Sequence, residues 1–260
     1  MRIIRFKHHS KAKYGILKNN LVLSLLKDPF FSFSRGDTWK FDGKEYPLNN
    51  VKLLPPCLPS KLVCLGLNYR PHAREFNQKL PSAPLLFLKP STAVIGPEDA
   101  IIMPRDRIRV DYEGELGIVI GKLAKDVKDE NARNYVIGYT CVNDVTERHF
   151  QKEDGQWTRA KGFDTFAPIG PWIETEVEPD DLKLETFLNS KLCQSGRTSE
   201  LIFGIDKLIT FVSGIMTLLP GDIISTGTPA GIAPMKAGDT VEVKIEKIGV
   251  LRNPVKESST

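Results

Sequence analysis

The chain has 260 residues, of which 41% are hydrophobic and 26% are charged, with 20 glycines and 18 prolines. This composition is typical of a globular protein and excludes a disordered chain, a collagen and a repeat array. The formal net charge of +4 comes from 36 basic and 32 acidic residues. Because the basic residues are scattered among acidic ones, the sequence argues against nucleic-acid binding.

Neither a membrane anchor nor a disulfide framework is indicated. Charge interrupts the apolar residues at the amino terminus too early for a signal peptide, and no run approaches the roughly 18 apolar residues of a membrane-spanning helix. The four cysteines never form a C-x-x-C motif and have no His at zinc-like spacing. We therefore expect a cytoplasmic protein with buried, reduced thiols and no membrane contact.

The first part of the chain is predicted to form short strands joined by turns, at residues 3–6, 14–17 and 21–25. Asn19 and Asn20 are typical of a hairpin turn. The segment 54–59 (LPPCLP) contains three prolines, which cannot continue a sheet. We place a domain boundary there, between a small β-rich N-terminal domain over residues 1–55 and a main domain over residues 60–256.

Strands are predicted to dominate the main domain as well. They are expected at residues 62–67, over much of 85–119, at 135–142 and, with clear alternation, at 240–246. Helical patterns are few, and they begin near Pro71 and cover residues 145–151 and 206–218. The predicted fold class is α+β with strands predominating.

Three carboxylates recur at the period of a strand within residues 111–120 (DYEGELGIVI). Asp111, Glu113 and Glu115 would share one face, each about 7 Å from the next. The apolar run that follows takes this strand into a core, where unpaired carboxylates repel one another and lose hydration. A divalent cation with oxygen ligands would relieve both effects, and a solvated acidic strand is the alternative. Gly114 leaves room on the opposite face for a closely packed neighbour.

A further carboxylate, Asp144, lies where the predicted strand at 135–142 ends, a position from which a side chain can project into a cleft. The segment from Asp144 to Glu147 (DVTE) also matches a helix capping box. On this motif alone the cap is favoured.

His72 and Glu75 lie three residues apart on a predicted helix and therefore share a face. The carboxylate can hold the imidazole in one tautomer and raise its basicity, as a general base requires. A surface His beside a Glu is the alternative.

Two further features could meet an anion. Lys161, in WTRAKGFD, could deliver an ammonium group to an oxyanion or a carboxylate. The loop 225–231 (STGTPAG) could offer backbone amides. Phosphate-binding loops, a G-x-G-x-x-G fingerprint and a G-x-S-x-G elbow are all absent from the sequence, which argues against nucleotide binding and serine-hydrolase chemistry.

Taken together, motifs in this order and spacing resemble the fumarylacetoacetate hydrolase family, and the resemblance covers residues 60–250. The motifs are residues 66–75 (GLNYRPHARE), 87–90 (FLKP), 111–117 (DYEGELG), 143–144 (ND), Lys161 and 226–231 (TGTPAG).

The resemblance implies a mixed β-sandwich roll with a small N-terminal domain, and a homodimer. It further implies a Mg2+ ion, or Mn2+ or Ca2+, held by Glu113, Glu115 and Asp144. Asp111 matches no family ligand and is expected to form a salt bridge or to support the ligands.

The resemblance also assigns residues around the metal ion. Lys161 would be a catalytic or substrate-positioning lysine, and His72 with Glu75 would lie on a lid that orders over the substrate. Substrate contacts are implied at Tyr69, Arg70, Arg148, Gln151 and Thr228.

Members of the family act on 2-oxo acids through an enolate. The resemblance therefore implies C–C bond hydrolysis or decarboxylation of the acylpyruvate or oxaloacetate type. Alternatives are isomerisation or decarboxylation of unsaturated 2-hydroxy dicarboxylates in aromatic catabolism and, in another class, an inactive module that binds small dicarboxylates.

Two positions depart from the family pattern. Leu67 stands where acylpyruvase-like members often carry Arg, and Pro71 stands where many members have Asp before the His. Either Arg70 replaces the lost charge or the substrate differs.

Overall fold

Strands dominate the computed structural model, which describes residues 1–75 and 79–258. In chain order the strands are β1 (Arg2–His8), β2 (Lys11–Lys18), β3 (Leu21–Leu25), β4 (Phe41–Pro47), β5 (Lys52–Leu53), β6 (Lys61–Gly66), β7 (Leu85–Pro90), β8 (Val94–Ile95), β9 (Ile101–Met103), β10 (Val110–Asp111), β11 (Gly114–Ile120), β12 (Val136–Asn143), β13 (Thr146–Glu147), β14 (Ala167–Glu174), β15 (Lys183–Leu188), β16 (Lys191–Arg197), β17 (Ile223–Ser225), β18 (Thr240–Ile245) and β19 (Gly249–Glu257). The α-helices are α1 (Pro29–Arg35), α2 (Arg70–Glu75), α3 (Arg148–Glu153), α4 (Thr158–Lys161) and α5 (Ile205–Ile215).

The largest sheet is mixed and runs in the order β4-β3-β2-β1-β14-β12-β11-β17-β6-β7. The amino-terminal strands continue this sheet, because β1 pairs antiparallel with β14. Strand β17 pairs parallel with β6, whereas β11 pairs antiparallel with both β12 and β17. The β-dominated α+β class with mixed sheets is thus confirmed, and the domain boundary at residues 54–59 stays a prediction.

A second sheet, in the order β16-β15-β18-β19-β9, packs on one face of the large sheet. Alternation along β11 decides which side chains meet it. Leu116, Ile118 and Ile120 enter the core shared with the second sheet and α5, so Glu115 projects from the opposite face. The period of two that buries the apolar residues therefore also places the carboxylate.

Most of the predicted elements are present. The three N-terminal strands are found, and Asn19 and Asn20 form the hairpin turn with φ values of 49° and 63°. The strand predicted at 62–67 is β6, and the helix expected near Pro71 is α2. Among residues 1–75 and 79–258, no helix has both the length and the apolar character needed to cross a membrane.

Three sequence predictions are wrong in detail. The acidic strand is interrupted, since β10 ends at Asp111 and β11 begins at Gly114. The helix predicted at 145–151 begins only at Arg148, because residues 146–147 pair with β10 as β13. The helix predicted at 206–218 ends at Ile215, because Leu218 bridges to the backbone of Ala124.

The cysteine prediction holds for most of the thiols. All four cysteines are free, and three of them are buried, whereas Cys193 is only half-buried.

Replacement of Gly114 should destabilise the contact between the sheets. A Cβ atom at this position would lie 2.2 Å from Oγ1 of Thr186, a buried residue of β15. We expect Gly114→Ala to lower the free energy of unfolding by about 1–3 kcal/mol, measured by urea denaturation. Removing the hydroxyl and methyl groups in Gly114→Ala/Thr186→Ala should restore most of the loss.

A matched control is Gly214→Ala on α5, where a Cβ atom would meet nothing within 4 Å. This variant should be neutral or slightly more stable. Equal losses for both single variants would contradict the packing argument.

Candidate active site

Three buried carboxylates converge where β11 begins. Glu113, Glu115 and Asp144 each offer an oxygen atom, and these atoms lie within 4.8 Å of one another. The pairing of β11 with β12 sets Gly114 opposite Asn143, and the backbone N–H of Asp144 donates to the carbonyl of Glu113 at 2.8 Å. Adjacent strand ends therefore bring together residues about 30 positions apart in the sequence.

The side chain of Asp144 points into this cluster and does not cap a helix, so the capping-box interpretation is wrong. The residue that caps α3 is Glu147, whose Oε2 accepts a hydrogen bond from the backbone N–H of Phe150 at 2.6 Å. Asp144 instead bonds to two buried lysines.

Lys161 lies over the cluster and is 2% exposed. Its Nζ donates to Oε2 of Glu113 at 2.9 Å and also to Asp144. Burial lowers the pKa of this ammonium group, but the charges of Asp144 and Glu113 outweigh burial, and the net pKa lies above the ordinary value. Lys161 is therefore held as a cation at neutral pH.

A second lysine, Lys89, is fully buried and was missed by the sequence analysis as a site residue. Its Nζ donates to Oδ1 of Asp144 at 2.5 Å and to the carbonyl of Val145 at 2.8 Å. Burial lowers its pKa despite the charge of Asp144. The sequence contained a usable indication, because alternation along β7 places Lys89 on the same face as Leu85 and Phe87, which line the cavity.

Arginines surround the outer side of the cluster. Arg148 bonds to Glu113, and its Nε donates to Oδ2 of Asp111 at 2.8 Å. Arg109 binds the same Asp111 carboxylate through Nε at 2.9 Å and Nη2 at 3.1 Å. The predicted salt-bridging role of Asp111 is thus confirmed, and its partners are two arginines.

The carboxylates differ in their electrostatic surroundings. Burial disfavours the charge of Glu113, yet Arg148 and Lys161 outweigh burial and hold the pKa below its ordinary value. Burial, followed by the charges of Asp144 and Glu113, raises the pKa of Glu115 to about 8. Among the described residues its Oε2 accepts from two neutral donors, the hydroxyl of Ser225 at 2.6 Å and the backbone N–H of Gly227 at 2.8 Å.

The predicted dyad forms on α2. Nδ1 of His72 lies 3.0 Å from Oε2 of Glu75, and Oε1 of Glu75 accepts from the backbone N–H of Gly231 at 3.3 Å. His72 lines the same cavity as Glu113 and Glu115. The dyad therefore faces the carboxylate cluster across one cavity.

This cavity has a volume of about 540 Å³, which exceeds the size of a small 2-oxo acid. The polar lining residues include His72, Arg148, Gln151, Lys161 and Thr228. The apolar lining residues are Leu65, Leu67, Leu85, Phe87, Trp157 and Ile232. The arrangement resembles an enzyme active site, in which a few charged groups are placed within a largely apolar cleft.

Two residues predicted to contact substrate, Tyr69 and Arg70, are not among those that line the cavity. Tyr69 is fully buried and is not among the residues that line the cavity. Arg70 is exposed and donates from Nη1 to the carbonyl of Leu201 at 2.7 Å. The structure therefore groups Arg148, Gln151 and Thr228 with the carboxylates but not Tyr69 and Arg70, and the individual roles remain predictions.

The donor set fits a divalent cation. Its three oxygens converge without a nitrogen or sulfur ligand, as hard cations prefer. Glu115 lacks a cationic partner among the described residues and keeps an elevated pKa, so a positive ion beside it would stabilise its charged form.

Sequence comparison identifies the family. A family model for the fumarylacetoacetate hydrolase C-terminal domain matches residues 61–256, and a model described as Rv2993c-like, N-terminal matches residues 1–56. The chain belongs to the fumarylacetoacetate hydrolase family, and the resemblance inferred from its motifs is confirmed.

Relatives match most of this chain, and two of them are named for different reactions. A protein of Archaeoglobus fulgidus is 56% identical over 84% of this chain and 87% of its own length. The 2,4-didehydro-3-deoxy-L-rhamnonate hydrolase of a Sphingomonas species is 42% identical over 76% of this chain and 73% of its own. The mitochondrial oxaloacetate tautomerase Fahd2a of Rattus norvegicus is 40% identical over 80% and 71%, respectively.

Solved structures share the complete fold. The 5-carboxymethyl-2-hydroxymuconate delta-isomerase of Mycobacterium smegmatis superposes with a TM-score of 0.92 at 42% identity, covering 99% of this chain and 100% of that one. The maleylpyruvate hydrolase of Sphingobium sp. SYK-6, solved with manganese(II) and pyruvate, gives 0.82 at 30% identity over all of both chains. The family thus contains hydrolases, isomerases and a tautomerase.

Metal uptake should depend on pH through Glu115. Because its pKa is raised to about 8, this carboxyl group holds a proton in the metal-free protein at pH 6.5, and binding of an ion must release it. We expect release of about one proton per Mn2+ ion, and an affinity that falls about tenfold per pH unit below the pKa. Calorimetry in two buffers of different ionisation enthalpy measures the protons released.

The matched variant is Glu115→Gln, which should bind Mn2+ more weakly and release no proton from this position. Binding by the unaltered protein with no proton release at pH 6.5 would contradict the prediction.

Proposed function

We propose that this protein is a divalent-metal-dependent enzyme that acts on a 2-oxo acid through an enolate, by C–C bond hydrolysis or decarboxylation. The observation that carries the proposal is the cluster of Glu113, Glu115 and Asp144 beneath the Lys161 ammonium group, at one end of a cavity of about 540 Å³. Relatives named for oxaloacetate tautomerisation and maleylpyruvate hydrolysis support this substrate class.

Glu113, Glu115 and Asp144 would hold the metal ion, for which we propose Mg2+, with Mn2+ or Ca2+ as alternatives. All three ions take carboxylate oxygens. When bound, the ion supplies Lewis-acid stabilisation of negative charge at the 2-oxo oxygen.

Lys161 would bring a second positive charge to the same end of the substrate. It is buried, and its ammonium group is already fixed by Glu113 and Asp144, so no reorganisation is needed when an enolate oxygen develops beside it. Arg148, Gln151 and Thr228 line the adjoining surface and would orient the substrate.

His72 would act as the base, held by Glu75. In hydrolysis, it takes a proton from water while the hydroxide adds to the distal carbonyl. The C–C bond then breaks, its electron pair forms the pyruvate enolate, and a proton returned to that carbon completes the reaction. In decarboxylation of oxaloacetate the bond between C3 and C4 breaks as CO2 leaves, its electron pair forms the same enolate, and C3 then takes a proton from solvent. No water needs activation as a nucleophile.

Isomerisation of an unsaturated 2-hydroxy dicarboxylate is a second candidate. A solved structure described as 2-hydroxyhepta-2,4-diene-1,7-dioate isomerase from Mycobacterium marinum covers all of this chain at 43% identity. In that reaction His72 would only move a proton between carbons, without cleavage.

An inactive module that binds small dicarboxylates is the alternative of another class. We also propose a homodimer in the cytoplasm, the former testable by light scattering.

The proposed activity is tested by a metal-supplemented assay with oxaloacetate, acetylpyruvate and an unsaturated 2-hydroxy dicarboxylate. We expect metal-dependent turnover that falls at least about 100-fold in Glu115→Ala, because this variant lacks one ligand. Glu178→Ala is the control, since that carboxylate is 92% exposed. The substrate that is consumed identifies the reaction. Absence of turnover together with tight binding would support the binding module.

The dyad distinguishes hydrolysis from decarboxylation. We expect His72→Ala to lower acetylpyruvate cleavage by about 100-fold or more, the usual contribution of a general base, while decarboxylation of oxaloacetate changes little. Arg74→Ala, on the exposed side of the same helix, should leave both rates unchanged. Equal loss of both reactions in His72→Ala would contradict water activation by the dyad.

A further inference from the structure

The mouth of the cavity carries positive charge that the proposed chemistry does not use. Arg109 and Lys152 both line the cavity, and we refer to this pair as the cationic rim. The exposed fraction of the side chain is 2% for Lys161, 19% for Arg148 and 48% for Arg109. The row of cations thus runs outward from the carboxylate cluster to solvent.

Arg109 keeps hydrogen-bonding capacity at the rim. Its Nε and Nη2 bind Asp111, and within residues 1–75 and 79–258 no acceptor lies on its Nη1. The Asp111 carboxylate is shared with Arg148, so one negative charge faces two guanidinium groups. Arg109 can therefore bind a further carboxylate while staying fixed by Asp111.

Lys152 is the second cation of the rim. It is an exposed residue of α3, next to Gln151. In the part of the chain that the structure describes, its ammonium group forms no hydrogen bond and no ion pair. A lysine that lines a cavity without a partner is available to an anionic ligand.

The local charge at the mouth of the cavity favours a substrate with a second carboxylate. Arg109 shares its carboxylate partner, Asp111, with Arg148, and Lys152 bonds no carboxylate among the described residues. A substrate carboxylate placed at the mouth would therefore gain more from these cations than a methyl group would.

The backbone holds the rim in place. Oε1 of Glu147 accepts from the N–H groups of Ile108 and Arg109, each at 2.9 Å, and the N–H of Arg148 donates to the carbonyl of Arg109 at 2.8 Å. These bonds tie Arg109 to the start of α3, which also carries Lys152. The backbone positions of the two rim residues are thus set relative to each other before a ligand arrives.

We propose that Arg109, assisted by Lys152, binds a second carboxylate at the far end of the substrate and determines specificity for 2-oxo dicarboxylates. The inference rests on the proposed function, because that function places the 2-oxo end of the substrate at Glu113, Glu115 and Asp144. Lys161 and Arg148 are already engaged by Glu113, so the rim cations are the ones left for a carboxylate at the far end of the substrate.

Binding to the Mn2+-loaded protein tests the rim without requiring turnover. The probes are matched pairs that differ only in a terminal carboxylate or methyl group: 2-oxoglutarate against 2-oxopentanoate, and 2-oxoadipate against 2-oxohexanoate. We expect one or both dicarboxylates to bind at least about tenfold more tightly than their partners, as a charge-assisted hydrogen bond provides. Arg109→Gln should reduce that preference to below about threefold, because the dicarboxylate loses far more affinity than the monocarboxylate does.

Further variants keep the test decisive. Arg109→Lys should retain part of the preference, and Lys152→Gln, at an exposed position where folding is not at risk, should lower it about two- to threefold. Arg159→Gln is the control, because that arginine is equally exposed but bonds Asp154 outside the cavity. No preference in the unaltered protein, or an equal loss for both members of each pair in Arg109→Gln, would overturn the proposal.

The outcomes also separate this inference from the proposed function. Selective binding without product from any substrate would remove the enzymatic proposal and retain the rim. Turnover with no preference for dicarboxylates would remove the rim and retain the enzyme. If the unaltered Mn2+-loaded protein binds no 2-oxo acid, both the enzymatic proposal and the role of the rim would be overturned.

Discussion

The burial of three acidic side chains in one place is the constraint on which the rest of the site depends. Carboxylate oxygens of Glu113, Glu115 and Asp144 lie within 4.8 Å of one another, and all three side chains are almost completely removed from water. Such a cluster loses hydration and gains mutual repulsion. It persists because strand pairing between β11 and β12 imposes it, with the alternate residues Leu116, Ile118 and Ile120 anchoring β11 in the core.

The three carboxylates of the cluster differ in whether a positively charged side chain compensates them. Glu113 and Asp144 bind basic side chains, whereas Glu115 bonds to Ser225 and a backbone amide. Glu113 and Asp144 are thus paired with protein cations, whereas Glu115 has no cationic partner among the described residues. Protein cations thus compensate two of the carboxylates, and a bound metal ion would compensate the third. Such a site can bind a cation and still keep its structure when the cation dissociates.

Local sequence information predicted only part of the cluster. Period-two alternation grouped Glu113 and Glu115 with Asp111, and the strand end before Asp144 follows from a few neighbouring residues, but it was the family resemblance that joined Asp144 to the two glutamates. The interruption between Asp111 and Gly114 was not predictable, because it depends on the pairing of β10 with β13, about 36 residues further along the chain. The capping box failed for a related reason: the buried lysines compete for Asp144, and Glu147 takes the cap.

Lys89 was missed because its partner lies 55 residues away. Lysines are rarely buried without a counter-charge, so a lysine in a short strand is ordinarily interpreted as solvent-exposed. Only the order β12-β11-β17-β6-β7 brings β7 to the side of the sheet where Asp144 ends β12. Periodicity assigns a face to a side chain, but the identity of the group opposite it is a property of topology.

Stability and function compete at this site in a way that a neutral core would not show. An apolar set of the same volume would cost less to bury than the ion pairs of Lys89, Lys161 and Arg148, so packing alone does not account for them. Truncating one member leaves its partner charged and unpaired in a dry environment, so each charge in the row constrains its neighbour. Burying these ion pairs costs free energy, but their mutual contacts keep the charges fixed in position. Fixed charges stabilise a developing enolate better than mobile ones do. The row of alternating charges from Asp144 outward to Arg109 is therefore best understood as one preorganised unit.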